Sequence, residues 1–124
     1  MDLLFESTKK FEKELKKFTD RDKHLIVGKI NQYCAFLLNE PKQFYSRAFK
    51  PCRLHLTGEY EDSLYALRVN KDIRVVLTVD EDPLFEQIII TLLHVARHST
   101  INKVYKGIAE SLYQKTLDQI ENEG

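Results

Sequence analysis

The chain is 124 residues long, a length that suits one domain, 1–124, around one core. Nineteen basic and nineteen acidic residues cancel to a formal charge of zero, which excludes a protein held to nucleic acid by bulk charge alone. With 43% hydrophobic and 31% charged residues, four glycines and three prolines, it is neither disordered nor collagen-like nor a linker.

The N-terminus, Met1-Asp2-Leu3-Leu4-Phe5-Glu6, has no basic segment and no long apolar run, so it does not read as a signal peptide. Residues 2–6 can form a short strand. Ser7 is placed to cap a first helix, whose apolar positions Phe11, Leu15 and Phe18 recur at helical spacing. Thr19-Asp20-Arg21-Asp22 interrupts it and offers new caps. A longer helix then carries Ile26, Ile30, Cys34 (or Tyr33) and Leu37 on one stripe, and Pro41 stops it soon after Leu38. Two amphipathic helices joined by a short turn form a hairpin that needs another layer against it.

Between Pro41 and the next regular segment, Lys42, Arg47, Lys50 and Arg53 alternate with Phe44, Tyr45 and Phe49. Cations interleaved with aromatics can form a nucleic-acid platform. The commoner outcome is that such aromatics anchor a loop on the sheet, and that is the reading preferred here.

From Leu64 the apolar period changes to two. Tyr65, Leu67 and Val69 fall on one face, as do Ile73, Val75, Leu77 and Val79, and Asn70-Lys71-Asp72 between them suits a tight hairpin loop. That register sets Arg68 directly across from Arg74. Like charges so placed weaken a sheet by up to about 1 kcal/mol, and an anion between the two guanidiniums would relieve the repulsion. Neutralisation by Asp72, Glu59 or a carboxylate of the tail is the alternative, and a solvated pair costs little.

A second turn, Asp80-Glu81-Asp82-Pro83, leads to the run Phe85 to Val95, apolar on both faces as in a central strand and far short of the about 20 residues that span a bilayer. His94 and His98 are four apart, but Val95 stands where a zinc-protease helix needs glutamate, so no metal site is expected. His94, inside the apolar run, reads as a structural histidine. His98, beyond the strand end and beside Arg97, is better placed for proton transfer. Ile101 to about Glu121 reads as a terminal helix. The segment 108–124 holds one basic residue against four acidic ones, Glu110, Asp118, Glu121 and Glu123. These could lie over the basic face, although a solvated helix face is the simpler expectation. Cys34 and Cys52 lack metal-ligand spacing and read as core thiols of a reduced cytoplasmic protein.

The resulting class is α+β: a helical hairpin packed on an antiparallel sheet of about four strands, then a C-terminal helix. In this order, the run Leu64-Tyr65-Ala66-Leu67-Arg68-Val69-Asn70-Lys71-Asp72-Ile73-Arg74-Val75-Val76-Leu77 resembles the paired-strand signature of the RelE/ParE superfamily of bacterial toxins. So does Leu92-Leu93-His94-Val95-Ala96-Arg97-His98 followed by Val104-Tyr105, and the resemblance covers roughly residues 3–107. It implies a RelE-like fold, a toxin of a type II toxin–antitoxin system, and a cognate antitoxin as partner. The ribonuclease members cut messenger RNA in the ribosomal decoding site. By that likeness, Arg74 and Arg68 would stabilise the scissile phosphate, His98 would be general acid or base, and Tyr105 would stack on the substrate or assist proton transfer. Lys50, Arg53, Lys71 and Arg97 would flank the RNA path. Cleavage by the substrate's own 2′-hydroxyl uses neither metal nor cofactor, and neither is expected. The alternatives are a ParE-like inhibitor of DNA gyrase that cuts no RNA, and an inactive binding module on the same fold.

Overall fold

The computed structural model describes residues 1–49 and 64–100. The chain runs β1 (Asp2–Ser7), α1 (Lys9–Lys16), α2 (Asp20–Asn39), α3 (Pro41–Arg47), β2 (Ala48–Phe49), β3 (Leu64–Arg68), β4 (Ile73–Asp82), β5 (Gln87–Arg97) and a short 3-10 turn, His98–Thr100. It is α+β, as the change of apolar period predicts. The expected C-terminal helix lies outside the described residues.

The sheet departs from the antiparallel, about four-stranded expectation. Among the described residues it has five strands in the order β1-β5-β4-β3-β2, and β1 runs parallel to β5, so the sheet is mixed. The short strand at residues 2–6 is real, and α1 and α2 carry the chain away before β3 enters, which leaves β1 free to lie parallel beside the last strand. β2 is only two residues long and extends the far edge by pairing with β3.

Helix starts follow local hydrogen-bond chemistry. α1 is capped by Thr8 and not by Ser7: Thr8 Oγ1 accepts from the Phe11 N–H at 3.1 Å, while the Ser7 hydroxyl donates to Glu12. Thr19 caps α2 by accepting from the Asp22 N–H at 3.2 Å, and Asp20 and Asp22 sit in the first turn, where the helix dipole favours carboxylates. Ile26, Ile30, Cys34 and Leu37 form the buried stripe of α2 that their spacing predicts. Pro41 ends α2 and at the same time opens α3, where the sequence suggests a loop. Arg47 closes α3 onto α2: it donates to the Gln43 side chain at 2.8 Å, and its guanidinium lies over the rings of Tyr33 and Phe36. Phe44 is fully buried, edge-on to Tyr65 at 5.9 Å between centroids, and so anchors its segment on the sheet, while Tyr45 stays exposed.

The main core lies between the helices and one sheet face. Phe11, Ile26, Ile30, Cys34, Leu37 and Phe44 meet Leu67, Val69, Ile73, Val75, Leu77, Ile90, Leu92 and Val95. Val76, Ala66 and Leu64 on the other face are buried too, so the central strands are apolar on both sides. β4 runs on to Asp82, three residues into the turn expected at 80–83, and the chain reverses through 83–86 with Glu86 at φ 52°. Among the described residues no helix is long and apolar enough to cross a membrane.

Candidate functional site

The hairpin register is the one the alternation predicts. Leu64 pairs with Thr78, Ala66 with Val76, and Arg68 with Arg74. The Val69 N–H donates to Ile73 O at 3.0 Å, so Val69 and Ile73 form the last hydrogen-bonded pair before the loop. Arg68 and Arg74 are therefore a non-hydrogen-bonded pair, the arrangement that brings opposed Cα atoms to about 4.5 Å and their side chains closest. Both point away from the face that carries Leu67, Val69, Ile73 and Val75. Their neighbours on that side, Ala66, Val76 and Ala96, are small or β-branched and buried, which gives the two cations a low apolar floor.

Arg68 is exposed and Arg74 half-buried. Arg74 Nη1 donates to the carbonyl of Asn70 and, at 3.1 Å, to that of Ile73, so its guanidinium is folded back over the loop. The loop is itself braced by Asn70, whose Oδ1 accepts from the N–H groups of Asp72 and Ile73, both at 2.8 Å. Lys71 stands exposed at its tip.

The strand end reaches the same place. Arg74 pairs with Ala96, and two residues later the His98 N–H donates to the Asp72 carbonyl. His98 is exposed at the start of the 3-10 turn, tied through its backbone to the loop between the two arginines. Arg68, Lys71, Arg74 and His98 are thus gathered at one end of the sheet.

Arg97 is not with them. It pairs with Ile73, whose side chain is in the helix-facing core, and its guanidinium lies over the ring of Phe18 at 5.5 Å. A register shift in β5 between the partners of Val76 and Leu77 leaves Leu93 extra, and this changes which residues face the helices from even to odd numbers. His94 is buried, with its Nδ1 2.9 Å from Glu14 Oε1, which fixes it to α1 as a structural histidine. Lys50, Arg53 and Tyr105, the other residues expected at the site, lie outside the described residues, as does Cys52.

The bracing role of Asn70 is not foreseen in the sequence, where Asn70-Lys71-Asp72 suggests a tight loop and Asp72 a neutralising carboxylate. The signal was present: asparagine at the start of a tight turn accepts from backbone N–H groups two and three residues on. Loop composition alone does not single out such a bracing side chain.

No protein-family model matches this chain. No curated protein matches it either. Among solved structures it is similar to the solution structure of the conserved hypothetical protein HP0894 from Helicobacter pylori, at 20% identity and a TM-score of 0.47, over 78% of this chain and 96% of that one.

Proposed function

We propose that this chain is a toxin of the RelE/ParE type that cleaves messenger RNA by internal attack of the 2′-hydroxyl on the adjacent phosphate. The observation that carries the reading is the non-hydrogen-bonded Arg68–Arg74 pair, with His98 tied to the loop between its strands. In the reaction a base takes the 2′-hydroxyl proton, the 2′-oxygen bonds to phosphorus, and the P–O5′ bond breaks as an acid protonates the departing oxygen. The products are a 2′,3′-cyclic phosphate and a 5′-hydroxyl. Arg68 and Arg74 would stabilise the charge that gathers on the phosphorane, commonly the largest single contribution to such catalysis. His98 would serve as one of the proton-transfer groups, and Lys71 would contact a neighbouring phosphate. Tyr105 remains the proposed stacking or second proton-transfer residue.

A toxin of this kind needs restraint, and the partner we propose is an antitoxin segment bearing carboxylates over the positive end of the sheet.

The test is induced expression together with cleavage of RNA by the purified chain, with and without ribosomes. Expression should stop translation first, and the RNA fragments should end in cyclic phosphate. Arg74→Ala should lower cleavage on the order of 10²–10³-fold, the scale for losing one preorganised charge-stabilising donor, with the fold intact by circular dichroism. Undiminished toxicity of Arg74→Ala, or DNA damage preceding loss of translation, would overturn the reading.

A further inference from the structure

The three-residue loop between β3 and β4 does more than join the strands. Its two interior N–H groups, of Asp72 and Ile73, both end on one oxygen, Asn70 Oδ1. Two of its carbonyls are used at the site: Asn70 O receives Arg74 Nη1, and Asp72 O receives the His98 N–H. Ile73 O accepts from Arg74 Nη1 and from the Val69 N–H together. One side chain therefore braces the peptide units that hold a guanidinium on one strand and the backbone of His98 at the end of another.

Without that side chain the Asp72 and Ile73 N–H groups lose their acceptor. Loops whose amides are unsatisfied relax toward solvent. Relaxation here would turn the Asp72 peptide and so release His98, and would loosen the Asn70 carbonyl under Arg74. We propose that Asn70 is a positioning residue that holds Arg74 and His98 in one fixed geometry, as a unit that receives a phosphate group. The phosphate part of this inference rests on the function proposed above; the coupling of the Arg74 guanidinium to the His98 backbone rests on the hydrogen bonds alone.

Asn70→Ala removes the brace without changing the charge of the site. Asn70→Asp keeps an acceptor oxygen in the same place but adds a negative charge beside Arg74. The two variants therefore separate geometry from electrostatics. The measurements are hydrogen exchange of the His98 amide, the Arg74 Nε–H resonance during titration with inorganic phosphate, and kcat and KM for RNA cleavage. In Asn70→Ala the His98 amide should exchange at least about tenfold faster, while core amides such as those of Val75 and Ile90 stay protected. Phosphate affinity should fall about tenfold, and cleavage should lose kcat at an unchanged melting temperature. Asn70→Asp should restore protection of His98 while still binding phosphate weakly. If Asn70→Ala does not fold, Asn70→Ser, whose hydroxyl can accept from one of the two amides, gives the same comparison with a smaller step.

Asn70→Ala with unchanged His98 exchange and unchanged phosphate affinity overturns the inference. Wild-type protein that cleaves RNA, matched in kcat and KM by Asn70→Ala, overturns it and leaves the proposed function standing. Wild-type protein that neither cleaves RNA nor binds phosphate sinks that function and the phosphate part with it, while His98 exchange still decides the coupling.

Discussion

Cys34 shows how strongly position on a helix sets the chemistry of one side chain. It is fully buried on the inward stripe of α2, and that burial pushes its thiol pKa from 9.0 up to about 12. A thiol so raised is a small core residue and not a nucleophile. The unfolded chain releases this proton near pH 9, whereas the folded chain keeps it to about 12. Between those values the unfolded state binds fewer protons, so folding stability is fully present below about pH 9 and is lost as pH rises, by at most about 1.4 kcal/mol per pH unit. Chemical denaturation measured from pH 8 to 11 should show that downward slope, and Cys34→Ala should show less of it. With Cys52 replaced by serine so that one thiol reports, iodoacetamide at pH 8 should label the protein only after unfolding. Rapid labelling of the folded protein would place Cys34 elsewhere.

At the scale of elements, α1 follows β1 directly and is tied back to β5 at its first turn. β1 pairs with β5 only as far as Ser7 and Leu92, and there Thr8 turns the chain into the helix. The Thr8 hydroxyl caps the Phe11 N–H and lies 3.2 and 3.1 Å from the carbonyls of Leu92 and Leu93, beside the bulge in β5. Thr8→Ala should therefore cost more than an ordinary cap, about 2 kcal/mol, lowering the melting midpoint by roughly 5–10 °C. Thr8→Ser should recover most of it, and a shift under about 1 °C for Thr8→Ala in calorimetry would show the cap to be idle. Ser7, the cap the sequence suggests, misses this because pairing with β5 continues through it and sets the helix start one residue later. The hairpin, in contrast, was legible down to the residue. One-sided alternation in Tyr65, Leu67 and Val69 and again in Ile73, Val75 and Leu77 leaves a single register that buries both sets. β5 offers no such guide, since an apolar run on both faces hides its bulge, and with it the position of the Arg97 guanidinium over Phe18. α3 was hidden for another reason: seven residues carry too few turns for periodicity to show, and Pro41 reads equally as a stop and as a start.

For the molecule as a whole, zero net charge conceals a separation of charge along β4. Arg74 lies near one end of that strand, with Arg68, Lys71 and His98 around it, while Asp80, Glu81 and Asp82 form the other end and Glu86 follows. Six to eight residues of strand put roughly 20–26 Å between the poles, at about 3.3 Å per residue. The screening length at physiological salt is about 8 Å, so the acidic end cannot cancel the field at the basic end. Binding of a short single-stranded RNA should accordingly follow the local cations and not the total charge. Contacts from Arg68, Lys71 and Arg74 to three phosphates imply a slope of log affinity against log salt near −2, at about −0.7 per contact. Arg68→Ala should flatten it to about −1.4, read by fluorescence anisotropy between about 50 and about 300 mM potassium chloride. Asp80→Asn with Glu81→Gln raises the net charge by two yet should leave the slope where it was. If total charge governed binding, that double variant would strengthen it at low salt while Arg68→Ala would weaken it in proportion, and the positive end of the sheet would then be no more a phosphate site than any other part of the surface.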